Sequence, residues 1–265
     1  MPKYLTIFPN EYHNSSSHKL FEENSIKTSE YIILTPVAPF KLYCFDSFVK
    51  NIFSFRPKPK EMVFCTEPKM MSEISKWKKE FKKQGIKLVI LKLEPKIIEK
   101  FPEPSLKKVS YSREHLRHYF IDSPYKWALW LDCDIIPESG VARVLLNIAQ
   151  SGRFLVVANE YLHREIEKKR VIISGIGCTL THEAACRFAR FMIASFIWDG
   201  EEGRCLADDF WFFAMLSAAN WNINQQCGWN VQKKGRFVST WHMPEQGPAK
   251  FLKKLKKNEA RPRYK

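Results

Sequence analysis

The sequence predicts an α/β protein with a mostly parallel, doubly wound sheet flanked by helices. Short apolar runs of five to seven residues, rich in valine, isoleucine, leucine and phenylalanine, alternate along the chain with segments of helical periodicity. Within the runs, apolar and polar residues do not alternate, which is typical of parallel strands that are covered on both faces. Together these two observations indicate a Rossmann-like arrangement of layers.

The apolar runs divide the first 160 residues into strand and helix units. We predict strands at 31–37, 61–67, 86–92, 127–131 and 154–159. We predict helices between them at 40–55, 70–85, 111–122 and 138–150, with Gly85 ending the second. The second part of the chain is less regular, and we expect a mixed arrangement of strands there.

Composition and length indicate one globular domain with an appendage at each end. The chain has 265 residues, 45% of them hydrophobic and 27% charged, which suffices for a large buried core. We predict a strand or loop lead-in at 1–29, a single domain over 30–248 and a basic amphipathic tail at 249–265.

The tail carries much of the net charge of +15. It holds eight basic residues against one acid, and Phe251, Leu252 and Leu255 stand at helical spacing among them. Such a segment either binds an anionic membrane or nucleic acid, or forms a solvated last helix with one packed edge. Both alternatives are open.

The absence of recognisable targeting signals and the cysteine usage favour a cytoplasmic protein, and the tail is the one segment through which it could contact a membrane. We expect neither a signal peptide nor a transmembrane segment, because no apolar run approaches the roughly 20 residues that span a bilayer. The seven cysteines form no Cys-x-x-Cys pair and are odd in number, which argues against a zinc site and a secreted disulfide framework.

Two carboxylates follow the fourth predicted strand in the segment "KWALWLDCDIIPESG", residues 126–140. Ligands of open α/β sheets bind beyond the carboxyl ends of the strands. The spacing of Asp132 and Asp134 keeps both side chains on one side, while Cys133 points into the core. Two like charges this close need a counter-charge, and Mg²⁺ or Mn²⁺ supplies it and can hold a substrate pyrophosphate. The alternative is a turn in which an aspartate caps the next helix.

At these residues the chain resembles a known superfamily. "LWLDCDIIP" resembles the Asp-x-Asp motif of glycosyltransferases with the GT-A fold, and "YIILTPV" resembles their first strand. "GIGCTLTHEAACRF" (175–188), "LADDFWFFAMLSAANW" (206–221) and "VSTWHMP" (238–244) are similar to the later glycine-containing strand, acidic helix start and histidine-bearing strand. The matches follow the family's order over roughly residues 31–245. The family's Asp-Asp-Gly-Ser after the second strand is replaced here by "CTEPK".

The resemblance implies a metal-dependent glycosyltransferase that moves a sugar from a nucleoside-diphosphate sugar to a hydroxyl of a glycan, protein or lipid. Residues 30–159 would form the nucleotide-sugar half and 160–248 the acceptor half, with Mn²⁺ or Mg²⁺ as cofactor. The predicted metal ligands are Asp132, Asp134 and His242. The predicted nucleotide-sugar contacts are Thr35, Pro36, Val37, Glu67, Arg113, Arg117, Asp132 and Cys133. Gly175, Gly177 and Trp198 are predicted on the sugar and acceptor side. If the reaction inverts configuration, Asp209 is the predicted catalytic base, with Asp208 as the weaker choice.

Several of these residues have ordinary structural alternatives. Arg117 can pair with Glu114 on the surface of its helix, and the acids at 208–209 are normal in the first turn of a helix. Glycines in a β-rich run mark a bulge or a close approach of the backbone. A lone histidine such as His242 is usually structural.

Two other classes of function are weighed against this one. A metal-dependent nucleotidyltransferase or primase-like enzyme also uses Asp-x-Asp, but it wants a third carboxylate on a neighbouring strand, and 154–159 contains no acid. A non-enzymatic, basic nucleic-acid-binding protein would leave the aspartates structural. Nucleic acid is disfavoured as a partner because the charge is concentrated in the tail and no recognition motif is present.

Overall fold

The computed structural model describes residues 30–100, 106–162, 172–173, 175–191, 197–198, 201–202 and 208–243. The predicted lead-in at 1–29 and the tail at 249–265 lie outside these ranges. Membrane contact through the tail therefore stays a prediction. Within the described ranges, no helix combines the length and the apolar character needed to cross a bilayer.

The strands of the described residues are numbered in chain order. They are β1 Tyr31–Val37, β2 Glu61–Thr66, β3 Lys87–Lys92, β4 Trp127–Leu131, β5 Ile135–Pro137, β6 Phe154–Asn159, β7 Tyr161–Leu162, β8 Ile172–Ile173, β9 Cys178–His182, β10 Ile197–Trp198, β11 Glu201–Glu202, β12 Asn230–Gly235 and β13 Thr240–His242.

The helices are numbered in the same way, and a 3-10 turn at Pro39–Lys41 precedes the first. They are α1 Leu42–Ser54, α2 Pro68–Ser75, α3 Lys78–Lys83, α4 Pro95–Lys100, α5 Leu106–Ile121, α6 Val141–Ser151, α7 Glu183–Phe188 and α8 Asp208–Cys227.

Seven strands form one mixed sheet in the order β12-β6-β9-β4-β1-β2-β3. The neighbours β3, β2, β1 and β4 are parallel, and β12 runs parallel to β6. Strand β9 is antiparallel to both β4 and β6. The predicted α/β class is confirmed: the sheet is mostly parallel and flanked by helices, with an antiparallel strand in its second half.

The core follows from the apolar runs. Every residue of β2 and β4 is buried, and β1 is buried except at Pro36. Burying a large apolar side chain contributes about 1.5–3 kcal/mol, so these central strands fix the sheet. Two threonines then align its carboxyl edge: Thr35 Oγ1 donates to the Leu131 carbonyl at 2.7 Å, and Thr66 Oγ1 donates to the Val37 carbonyl at 2.7 Å.

The prediction of one helix over 70–85 is wrong, because the segment forms two helices, α2 and α3. The break lets Trp77 and Phe81 pack on Phe53, with ring centroids 6.0 and 4.9 Å apart. Tertiary packing here overrides a continuous helical period. The predicted stop is correct, since Gly85 has φ of +73° and turns the chain into β3.

Three further elements differ from the prediction. The proline-containing loop before α5 holds the short helix α4, which starts at Pro95, and α5 itself begins at Leu106, five residues before the predicted position 111. Proline is favoured in a first helical turn because it has no N–H to satisfy. Strand β5, only three residues long, was not predicted, and it pairs with β13 across the end of β4.

Candidate functional site

A cleft lies beyond the carboxyl ends of β1, β2 and β4, where the topology of the sheet predicts a ligand site. Its cavity of about 230 Å³ is the meeting point of most of the predicted residues. The residues that line it are Pro36, Val37, Ala38, Phe40, Lys41, Glu67, Leu93, Lys108, Val109, Ser112, Arg113, Asp132, Cys133, Asp134, Tyr161 and His242. The predicted contact Thr35 is fully buried behind this wall, where it joins β1 to β4.

Arg113 holds the first aspartate of the motif. Its Nη2 donates to both carboxylate oxygens of Asp132, at 3.0 and 3.1 Å. The guanidinium is nearly buried, with 8% of its side chain exposed, whereas 28% of the Asp132 side chain is exposed. The ion pair therefore forms part of the cleft wall, and the carboxylate keeps its access to the cleft.

Gly177 allows the backbone to approach this carboxylate closely. Its carbonyl accepts a hydrogen bond from the Asp132 amide at 3.0 Å. A Cβ at this position would lie 2.7 Å from Asp132 Oδ2 and 2.6 Å from Tyr161 Oη. No other residue fits here without displacing one of these groups. Gly177, predicted on the sugar and acceptor side, thus lies directly against the Asp-x-Asp motif.

Two basic groups meet at one oxygen of the second aspartate. Lys41 Nζ is 2.5 Å and His242 Nε2 is 3.0 Å from Asp134 Oδ2. Strand pairing positions the histidine, because β13 lies beside β5 with His242 opposite Ile135, and Met243 N donates to the Asp134 carbonyl at 2.7 Å. Although burial raises it, the pKa of Asp134 is held well below its usual value by the hydrogen bond from His242 and the charge of Lys41.

Two of the three predicted ligands are positioned to hold a divalent metal ion. A carboxylate and an imidazole, Asp134 and His242, are already side by side, and Mn²⁺ or Mg²⁺ completes such a site with water and phosphate oxygens. The third predicted ligand, Asp132, is turned towards Arg113. Within the described ranges, no three His, Cys, Asp or Glu side chains are grouped closely enough to hold a metal ion. The predicted ligand triad is thus not assembled in advance.

Tyr161 also lines the cleft and was not predicted. Its ring meets the His242 ring edge-on, with centroids 5.8 Å apart. Burial, and then the charge of Asp132, raise the pKa of this phenol well above its usual value. The hydroxyl therefore stays protonated and can donate a hydrogen bond in the cleft. A signal was available in the sequence, since Tyr161 comes two residues after the carboxyl end of β6.

Cys133 is 2% exposed and buried at the base of the motif, as predicted. A hydrogen bond with Cys44 and burial raise the pKa of its thiol well above the usual value. The side chain is consequently a neutral, structural part of the cavity wall.

A buried ion pair stands at the end of β2, where this chain has CTEPK in place of Asp-Asp-Gly-Ser. Glu67 Oε1 lies 3.0 Å from Lys108 Nζ, and both side chains are less than a tenth exposed. Lys69 lies 3.5 Å from the other oxygen of Glu67. The sequence identified Glu67, but not Lys108, which extends to it from the first turns of α5.

Arg117 does not reach the cleft. It donates to Glu114 at 2.6 and 2.8 Å and to the Cys186 carbonyl at 2.6 Å. The alternative of an Arg117–Glu114 pair is therefore present in the structure, although the guanidinium is buried, not on the surface. It connects α5 to α7, and only Arg113 of the two predicted arginines lines the cavity.

The remaining predicted residues are not brought to the cavity by the described part of the chain. The Gly175 carbonyl accepts a hydrogen bond from Thr179 Oγ1 at 2.9 Å, in the turn before β9. Asp209 Oδ1 accepts from the Phe210 amide at 2.8 Å in the first turn of α8, where acidic side chains are common. Trp198 belongs to β10 and Asp208 to the first turn of α8, but their side chains lie outside the described residues.

No protein-family model matches the sequence, and no curated protein matches it. Glucosyl-3-phosphoglycerate synthase from Mycobacterium tuberculosis, solved with Mn²⁺, UDP and glucosyl-3-phosphoglycerate, is similar in structure with a TM-score of 0.46 and 11% identity over 97% of this chain and 82% of that chain. S. aureus TarS 1-349 in complex with UDP-GlcNAc has a TM-score of 0.47 and 11% identity over 71% of this chain and 53% of that chain. The same protein with UDP has a TM-score of 0.40 and 10% identity, over 60% and 48%.

This chain spans about half the length of the TarS structures. At these TM-scores the similarity carries no ligand, metal ion or activity over to this chain. Its function has to be inferred from its own cleft.

Proposed function

We propose that this protein is a glycosyltransferase that moves a sugar from a nucleoside-diphosphate sugar to a hydroxyl acceptor with the help of a divalent metal ion. One observation carries the proposal: both carboxylates of the Asp-x-Asp segment and three cationic side chains line one cavity at the carboxyl edge of the sheet. Cations suit a diphosphate, and the carboxylates suit the metal ion that accompanies it.

The donor would lie along the ends of β1 and β2. Pro36 and Val37 offer an apolar surface for the nucleoside, and the Glu67–Lys108 pair offers a hydrogen-bonding edge in place of the family's Asp-Asp-Gly-Ser segment. The diphosphate would then reach Arg113, whose guanidinium can bind two phosphate oxygens at once.

The metal would be held by Asp134 and His242, with Asp132 beside them. When bound, Mn²⁺ or Mg²⁺ supplies neutralisation of the charge on the leaving diphosphate. Arg113 and Lys41 stabilise the same charge by direct contact. Tyr161, as a neutral phenol, would donate a hydrogen bond in the cleft.

The acceptor side completes the proposal. The hydroxyl would belong to a glycan, a protein or a lipid and would approach past Gly175, Gly177 and Trp198. Where configuration is inverted, Asp209 would remove the hydroxyl proton as the general base. Peripheral contact with an anionic membrane through 249–265 would bring the enzyme to a lipid acceptor.

A binding screen tests the proposal directly. ADP, CDP, GDP and UDP are titrated into the protein by calorimetry with Mn²⁺, with Mg²⁺ and with EDTA, and nucleotide-sugars of the base that binds follow. We expect one base to bind in a metal-dependent manner and one of its sugars to be hydrolysed or transferred. If none of the four diphosphates binds, the proposed function is wrong.

A further inference from the structure

Lys41 lines the cleft and contacts Asp134 there. It ends the 3-10 turn after β1, and 16% of its side chain is exposed, against 6% for Asp134. Its Nζ contacts Oδ2 at 2.5 Å, the same oxygen that His242 Nε2 contacts at 3.0 Å. The Phe40 ring lies beside the ammonium, with the centroid 5.3 Å from Nζ.

A metal ion bound to Asp134 beside His242 cannot share this position with an ammonium. The two cations would lie a few ångströms apart and repel each other strongly in a partly buried site. Lys41 must therefore leave Asp134 before a divalent ion binds there. The side chain is partly exposed and lines the cavity, so rotation can carry its ammonium away from Asp134 into the cleft.

A displaced ammonium needs a new anionic partner. The other carboxylates that line the cavity, Asp132 and Glu67, are already paired with Arg113 and Lys108. A diphosphate in this cavity would supply the missing anion within reach of Lys41 by side-chain rotation alone. Breaking the Lys41–Asp134 ion pair costs free energy. Only when the metal ion and the diphosphate are both present do Asp134 and Lys41 each gain a new partner that offsets this cost.

We propose that Lys41 makes the metal ion and the nucleoside diphosphate bind cooperatively, by competing with the metal for Asp134 and passing to the diphosphate when it is displaced. The inference rests on the proposed function and names a positioning residue of the same site. Because coupling between two ligands is reciprocal, each ligand must strengthen the binding of the other by the same factor.

The test measures binding, not turnover. Free Mn²⁺ is followed by its electron paramagnetic resonance signal, with and without each of ADP, CDP, GDP and UDP, for the wild type, Lys41→Gln and Lys41→Arg. Lys50→Gln serves as the matched control, because Lys50 is an exposed lysine of the adjoining helix α1. Thermal unfolding of each variant checks that the fold is retained.

We expect Lys41→Gln to bind Mn²⁺ alone about tenfold more tightly than the wild type, because the competing cation is gone. We also expect the gain in Mn²⁺ affinity on adding the diphosphate to fall by about tenfold. Lys41→Arg keeps the charge and should retain most of the coupling, and Lys50→Gln should behave as the wild type.

The outcomes separate this inference from the function that it extends. If the wild type binds no diphosphate with or without Mn²⁺, the proposed function fails. If the wild type shows coupling and folded Lys41→Gln shows the same Mn²⁺ affinity and the same coupling, Lys41 has no such role. A loss of diphosphate affinity in Lys41→Gln without any gain in Mn²⁺ affinity would also overturn the competition.

Discussion

Replacing Asp134 by asparagine removes the negative charge that Lys41 and His242 both contact. Asp134 is 4% exposed, contacts Lys41 and His242 through one oxygen, and is the proposed metal ligand that already lies beside a second one. Asparagine has the same shape and keeps one acceptor oxygen. The change therefore tests charge and ligation with little change in packing.

The cost in stability follows from the exposure of the two partners. Removing one member of a fully buried ion pair costs about 3–5 kcal/mol. Lys41 keeps 16% of its side chain in solvent and can turn outwards, and the asparagine oxygen still accepts a hydrogen bond. We expect about 1–2 kcal/mol, close to the cost of a buried hydrogen bond left imperfect, which lowers Tm by about 2–8 °C in a chain of this size.

The effect on ligand binding should be much larger. Loss of a partner outside the metal's own ligands typically costs about 10–100-fold in affinity, so loss of a charged ligand should cost about 100-fold or more. Calorimetry of diphosphate binding in Mn²⁺ measures it, with Asp46→Asn, an exposed aspartate of α1, as the control. Unchanged metal-dependent affinity in a folded Asp134→Asn protein would refute the assignment of the motif.

Three further predictions concern the base, the glycine and the buried histidine. Asp209→Asn should lower the rate of transfer by about 100-fold or more, as loss of a general base does, while the affinity for the donor is kept. Asp208→Asn should lower the rate less. Equal small effects of the two variants in a transfer assay would show that neither residue is the base. Gly177→Ala places a methyl group 2.7 Å from Asp132 Oδ2, so we expect about 1–3 kcal/mol of destabilisation and weaker metal-dependent binding. Urea unfolding and calorimetry measure the two effects. Gly140→Ala is the control, because its Cβ would meet nothing nearer than 3.6 Å. Burial, and then the charge of Lys126, lower the pKa of His182 to about 3. In the unfolded chain the same imidazole binds a proton near pH 6.5. The contribution of His182 to stability is therefore complete above pH 6.5, and the free energy of unfolding should fall by about 1.4 kcal/mol per pH unit as the pH drops towards 3. His182→Asn keeps an acceptor for the Ala184 amide, and in urea titrations its stability should fall less steeply with pH; the same slope as the wild type would contradict the assignment.

The sequence predicted the parallel part of the sheet because those strands are buried on both faces. A run such as Trp127–Leu131 has no polar face, and its class can be recognised without knowledge of its neighbours. Strands β5 and β13 are different, since each has three residues and exists only because the other pairs with it. The division of 70–85 into two helices likewise depends on aromatic packing from another helix.

The positions of the site residues were predictable, but their partners were not. Pro36, Val37, Glu67, Asp132 and Asp134 lie at or just after strand ends, and the topology of an open sheet brings such positions to one edge. The Lys41–Asp134 contact spans 93 residues of sequence. It depends on the turn after β1 and on the reach of one side chain, neither of which has a periodic signature.

The charges of the cleft, taken together, favour a metal–diphosphate complex over either component alone. Asp132, Asp134, Arg113 and Lys41 sum to zero formal charge, and each carboxylate has its own cation. A divalent ion alone would have to separate Lys41 from Asp134, and a diphosphate alone would face both carboxylates at close range. Arriving together, they offer the carboxylates a metal and the cations an anion, so every buried charge keeps a partner. The pairing seen in the structure is therefore what a cleft selective for the complex requires.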